Sequence, residues 1–443
     1  MPSLLRSLLP PLVLALASCA VPAAGGSERG PGGPGGKADG DDDELGLRGW
    51  YVIGNELTPG RDTLAGTVEI PEGVSRVAVS VDGVVEATRD VDGATLDLRR
   101  DIRDLAAGEH ELSLAAEGDA TPFFTHRFSR SHPLYIVVSN DWDDTDNTDE
   151  QLRRQEELHE RHAELILTHF VGPYTFTDPV LPEERKRYLA DWVLRMQTEH
   201  GDEIGLHIHP YCHFVEAAGV ECKLEPEYAR SWRTPGYTVY CGAYEEDEFV
   251  ELLRTADALF ESYGLGKPRT FRAGGWSLEL HVLRALARVG YVADTSANNW
   301  RRLDEWQGAS GTSLYEWNSM QWADIDETSQ PWWPSETGMM ASEPPHVGVL
   351  EVPDNGILVD YVTADEMIEM FEANWDGAAL PEPRQYSIGY HPPSLSEEYA
   401  QRMDDALAHI DQFLSSEDAG PVVYARLSDL VAVWPRPATA GGP

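Results

Sequence analysis

From about residue 132 onward, short apolar runs alternate with longer amphipathic stretches, and this alternation constrains the fold more than any other feature of the chain. Candidate strands fall at 134–140, 164–170, 203–209, 269–273, 291–294, 348–352, 386–391 and 421–426. Amphipathic helices are expected between them, at 182–200, 245–263, 277–288 and 364–375. Two helix starts read as capping boxes, Thr363 with Glu366 and Ser394 with Glu397. Repetition of this kind predicts an α/β fold, an irregular parallel (β/α) barrel of about seven to eight strands. The stretch 299–345 holds six of the thirteen tryptophans and reads as a long excursion over the top of that barrel.

The preceding region has a different period. Short alternating runs at 66–70, 76–81, 84–88, 94–98, 109–115 and 123–128, with Asp82-Gly83 as a hairpin signal, predict a small all-β sandwich over 47–130. Its stretch from Leu105 to Leu112 resembles the penultimate turn and strand of bacterial immunoglobulin-like domains. Residues 1–18 carry one basic residue, Arg6, and an apolar run too short to span a bilayer, as in a signal peptide. Leu16-Ala17-Ser18-Cys19 resembles the bacterial lipobox, which implies acylation of Cys19 and attachment to a membrane of the cell envelope. The Gly-, Pro- and Asp-rich residues 19–46 then read as a disordered tether. The barrel is expected over 131–436 and a disordered tail over 437–443.

Charge removes one class of partner. Thirty-four Lys and Arg against 76 Asp and Glu give a formal net charge of −42. Nucleic-acid binding needs clustered positive charge and is excluded on this ground. No protein partner is indicated. Beyond Cys19 the chain has Cys212, Cys222 and Cys241. An odd number in an oxidising compartment suggests one disulfide and one free thiol, with three pairings open.

In a parallel barrel the site lies at the carboxyl ends of the strands. Those ends deliver, in order, Asp141, Asp143 and Asp144, then His207 and His209, then Arg272, Asp294 and His391. In Glu203-Ile-Gly-Leu-His-Ile-His209 the aliphatic residues alternate with Gly205, His207 and His209, so both imidazoles are expected to face inward as a pair of metal ligands. His213, four residues beyond His209, is an alternative to one of them. Asp141 and Asp143 share a face while the chain stays extended, and two carboxylates so close call for a cation. Trp276, Trp332 and Trp333 could stack on sugar rings or pack in the core.

Together these residues resemble the polysaccharide deacetylase family. Ser139-Asn-Asp-Trp-Asp-Asp144 stands for its first motif and Glu203 to Pro210 for the His-rich second. Phe271-Arg-Ala-Gly-Gly-Trp276 stands for the Arg motif, Val292-Ala-Asp-Thr-Ser296 for the Asp motif, and Ile388-Gly-Tyr-His-Pro392 for the last. The resemblance spans about 134–434 and implies metal-dependent removal of acetyl groups from an N-acetylated carbohydrate polymer, or hydrolysis of another amide or sugar ester on the same fold. It implies Asp141 as general base, Asp143, His207 and His209 as ligands of a divalent metal, expected to be Zn2+, and Arg272 to orient the base. His391 would be the general acid, held and tuned by Asp294. Asp144 and His213 remain open as replacements for a ligand. A glycan-binding surface lipoprotein without catalysis is the rival from outside the enzyme class.

Overall fold

The computed structural model describes residues 46–225, 239–303 and 314–437. The signal peptide, Cys19, nearly all of the tether and the residues after 437 lie outside the described residues. Among the described residues no helix is long and apolar enough to cross a membrane.

Seven strands come first: β1 (Trp50–Val52), β2 (Thr63–Glu69), β3 (Arg76–Val81), β4 (Val84–Asp90), β5 (Thr95–Asp101), β6 (Gly108–Ala116) and β7 (Phe124–Ser131). They form a five-stranded sheet in the order β1-β7-β6-β3-β4 and a separate pair, β2-β5. Alternation explains why the two sheets face each other. Val77, Val79 and Val81 of β3, with Leu112 and Leu114 of β6, share one buried cluster with Leu64, Val68, Leu96 and Leu98 of the pair. Asp82 and Gly83 both have positive φ, 51° and 76°, as the tight turn between β3 and β4 requires. β1, too short to show a period, was not legible in the sequence; it runs parallel to β7.

Eight strands of the larger sheet follow: β8 (Leu134–Asp141), β9 (Leu167–Val171), β10 (Glu203–Ile208), β11 (Thr270–Ala273), β12 (Ala293–Asp294), β13 (Leu350–Glu351), β14 (Arg384–Tyr390) and β15 (Val422–Tyr424). All pair in parallel, in the order β13-β12-β11-β10-β9-β8-β14, with β15 also against β8. After β13 the chain returns to β14: the amides of Gly356 and Val359 donate to the carbonyls of Ser387 and Gly389, at 2.9 and 2.8 Å. These bonds join the two ends of the sheet, giving the irregular parallel barrel that the alternation predicts.

Helices lie between the strands, including Glu183–His200, Glu246–Ser262, Leu280–Val289 and Ala364–Asn374. Thr363 and Glu366 form the expected capping box. The second expected box does not form: Ser394 lies in a 3-10 turn, and the helix Glu397–Ile410 is capped by Ser396, whose hydroxyl accepts from the amide of Tyr399. Outward residues of β10, Ile204, Leu206 and Ile208, pack in one cluster with Phe249, Leu253 and Leu286 of the helices. The lumen is lined instead by Tyr135, Val137, Phe170, Ala293, Leu350 and Val352. Cys212 pairs with Cys222, and Cys241 is free and buried.

The floor of the barrel carries the β-sandwich. Asp418, just before β15, accepts the amides of Gly49 and Trp50, both at 2.8 Å. Asn55 donates to the Tyr135 hydroxyl at 2.8 Å. The opposite, carboxyl end of the sheet is where the titratable groups collect.

Candidate active site

Strand alternation decides which side chains reach the mouth of the barrel. Asp141 ends β8 facing inward, while Trp142 turns outward and its indole donates to Asn140. Arg272 of β11 is fully buried and donates from Nη1 to Asp141 Oδ1 at 3.0 Å. The same guanidinium donates from Nε to the carbonyl of Thr295 at 3.1 Å. An arginine held at several points fixes the direction in which the carboxylate presents its free lone pairs.

Asp143 stands beside this pair. Its Oδ1 lies 3.1 Å from His207 Nε2 and 3.2 Å from His209 Nε2. Asp143, His207 and His209 form the one group among the described residues whose ligand atoms, one from each, all lie within 4.8 Å of one another. His207 Nδ1 is 2.9 Å from the carbonyl oxygen of Arg272, an acceptor only, so Nδ1 carries a proton. The lone pair of Nε2 then points at a carboxylate oxygen. That arrangement is stable only with a cation, a proton or a metal ion, between the two. Two imidazole nitrogens and one carboxylate oxygen are a donor set that suits zinc with a position left open. The residues therefore fit a divalent metal. Gly274 belongs to the same fit, because a Cβ there would stand 2.5 Å from His209 Nδ1.

Of the alternatives left open, neither joins this group. His213 turns away on the helix Cys212–Ala217 and pairs with Thr177 Oγ1 at 2.8 Å. Asp144 is outside the group as well.

His391 follows β14 and completes the mouth. Its Nε2 lies 3.5 Å from Asp143 Oδ2, and its Nδ1 lies 3.0 Å from Asp360 Oδ2. Burial disfavours an imidazolium here, but Asp360 and then Asp143 overcome it and hold the proton on His391 up to about pH 10. Asp143 responds in kind: burial works against its charge, yet His391, His209 and His207 keep it well below the ordinary carboxylate range.

The partner of His391 is a correction to the sequence reading. Asp294 does not hold this histidine. Ala293 packs in the lumen, so Asp294, the next residue along the strand, is turned the other way. There its carboxylate accepts from the amide and hydroxyl of Ser296, at 2.9 and 3.0 Å, beside Glu351. Burial raises Asp294 to about 6, and burial and then Asp294 raise Glu351 well above its usual range. Asp360 takes the role expected of Asp294. It lies between the expected strand at 348–352 and the expected helix at 364–375, and the return of 356–359 to β14 brings it beside His391.

Tryptophans expected as candidates for sugar stacking are used otherwise. Trp276 and Trp333 are buried, and their indoles donate to Asp354 at 3.0 Å and to the carbonyl of Trp434 at 2.9 Å. Trp332 is partly buried and donates to the carbonyl of Met339. The long excursion does cover the Arg motif: Trp322 donates to the carbonyl of Trp276 at 3.1 Å and Asn318 to that of Gly275 at 3.3 Å.

No family model matches the sequence, and no curated protein matches it. Among solved structures, the chain is similar to a protein from Mycobacterium smegmatis assigned as a polysaccharide deacetylase, at 14% identity and a TM-score of 0.42, over 70% of this chain and 95% of that one. A family 4 carbohydrate esterase from Streptomyces lividans in complex with acetate overlaps at 9% identity and a TM-score of 0.34, over 67% and 95%. A peptidoglycan deacetylase from Bacillus subtilis overlaps at 10% and 0.32, over 66% and 88%. Overlaps this distant do not carry an activity across, and what the site can do follows from its own side chains.

Proposed function

We propose that this protein is a metal-dependent hydrolase that removes acetyl groups from an N-acetylated carbohydrate polymer, held at the cell envelope by lipid on Cys19. The observation that carries the catalytic part is a convergence at one barrel mouth. An arginine-held carboxylate, a nitrogen- and oxygen-ligand triad and a carboxylate-held imidazolium meet there, supplied by different strands.

Asp143, His207 and His209 would hold a divalent metal, which would supply Lewis acidity to an acyl oxygen and to water. Asp141 takes the proton from the attacking water, and Arg272 keeps the accepting oxygen aimed. His391, protonated and turned toward the triad by Asp360, gives its proton to the departing amine nitrogen. Base and acid must therefore occupy opposite protonation states at once, and the carboxylate behind His391 keeps the acid protonated. The chain's strong negative charge argues for a neutral or cationic glycan over a polyanion.

Acetate release from a panel of N-acetylated glycans and sugar esters, before and after chelation and zinc return, tests the assignment. Chelator-sensitive release from an N-acetylated glycan is expected. Release from esters alone would move the activity to the ester class, and none from any substrate by metal-loaded protein would favour the non-catalytic alternative. Anchoring is tested separately: Cys19→Ala should abolish membrane partition, and unchanged partition contradicts it.

A further inference from the structure

One buried carboxylate behind the mouth has no part in the chemistry above. Asp354 is fully buried, and its carboxylate is met by three side chains. Its Oδ2 accepts the indole N–H of Trp276 at 3.0 Å and lies 3.4 Å from Arg272 Nη2. Its Oδ1 accepts the hydroxyl of Ser387, on β14, at 3.4 Å. On the reading of Asp141 as the general base, we propose that Asp354 is a positioning residue that clamps Arg272 and the Gly274–Trp276 turn into one body, so that base and metal-ligand side keep a fixed separation.

Two features of the chain call for such a clamp. First, the guanidinium is shared between carboxylates, Nη1 on Asp141 and Nη2 toward Asp354. Without the second carboxylate only Thr295, its carbonyl on Nε at 3.1 Å and its hydroxyl 3.4 Å from Nη2, opposes a turn of both Nη groups to Asp141, which would change the lone pair left for a water proton. Second, the turn is in an uncommon conformation, with Gly275 at φ 59° and Trp276 at φ 53°. A bulky residue there persists only where its surroundings hold it. Among its holders are Asp354 on the indole, the Trp322 indole on the Trp276 carbonyl and the Asn318 amide on that of Gly275. Because Gly274 packs directly on the ring of His209, movement of this turn reaches a metal ligand.

Asp354→Asn tests the clamp with little change of shape, since the amide oxygen can still accept the indole N–H while the charge facing Arg272 is gone. Expected are a fall in kcat of about 10- to 100-fold, the range in which misplacing a reacting group acts, a KM changed by less than about threefold and unchanged metal content. In an Arg272→Lys background the same change should cost less than about twofold, because the effect runs through the guanidinium. Unchanged kcat, or full additivity in the double variant, overturns the proposal. If Asp354→Asn is insoluble, Trp276→Phe removes the indole N–H from the other end, and the same kcat loss is expected. Nitrogen NMR of the Arg272 guanidinium separates this proposal from the hydrolase assignment, since it needs no turnover. Slow rotation in the parent that quickens in Asp354→Asn supports the clamp even if no glycan is deacetylated. Equal rotation in both overturns it.

Discussion

Glu203 at the floor of this barrel and the carboxylates that line its mouth are both buried, and they are treated in opposite ways. At the floor Glu203 begins β10 and is answered by neutral donors: the Ser428 amide at 3.1 Å and the hydroxyls of Thr168 and Thr270 at 3.3 and 3.2 Å. Burial raises its pKa, so Glu203 leans toward its neutral, hydrogen-bonded form, whereas its neighbour Asp202, facing His159 and His169, is held at about 2. At the mouth Asp141, Asp143 and Asp360 face a guanidinium and imidazoles, and a carboxylate oxygen meets two imidazole nitrogens that need a cation between them. Buried acid alone therefore says little about function. What distinguishes the mouth is that an arginine-held carboxylate stands beside a carboxylate and two imidazoles whose ligand atoms converge on one point.

If that contrast is real, His207→Ala should have the largest effect, since it removes one of two nitrogen ligands. Metal should fall from about one per chain to near zero, with a loss of turnover of about a thousandfold, the share a Lewis acid commonly supplies. His213→Ala should keep the metal. Elemental analysis of both variants checks this, and metal lost from His213→Ala alone would relocate the site.

An intermediate effect is expected for Asp360→Asn. A histidine whose pKa is raised on folding gains stability that is fully present below its ordinary value and is lost as pH rises through the raised one, here about 10. Removing the carboxylate lowers the pKa of His391. The alkaline limb of the activity profile should then move to lower pH, with neutral turnover down about tenfold or more. An unmoved limb would show that Asp360 does not hold the acid.

The smallest effect belongs to the floor. Glu203→Gln keeps the shape and most of the acceptors of a group already biased toward neutrality. Stability should change by about 1 kcal/mol or less and turnover by less than about twofold. A folded Glu203→Gln variant with abolished turnover would erase the distinction between the two ends.

The same two ends differ in how far the sequence disclosed them. Period alone located the eight strands of the barrel, because each is an apolar run bounded by breakers. The carboxyl ends of the strands brought Asp141, His207, His209 and Arg272 together, and alternation put the two imidazoles on one face. Reading failed where regular period fails. β12 and β13 are two residues each, and past them Ile357 sits at positive φ, 57°, in a segment that still closes the barrel. Asp354 and Asp360 lie in that segment, so neither could be placed, and Asp294 was assigned to the wrong partner. The Cys212–Cys222 pairing was not legible either, since three cysteines leave three choices until the loop's path is known.

The central claim is that Asp141 is a base beside a metal site and not a part of it. Asp141→Asn keeps size and removes the proton acceptor, so turnover and metal content of this one variant, measured together, test the claim most directly. The expected result is full metal loading, a native circular dichroism spectrum and turnover reduced by about two to four orders of magnitude, the range that general-base catalysis supplies. Near-normal turnover in a folded, metal-loaded Asp141→Asn variant would contradict it.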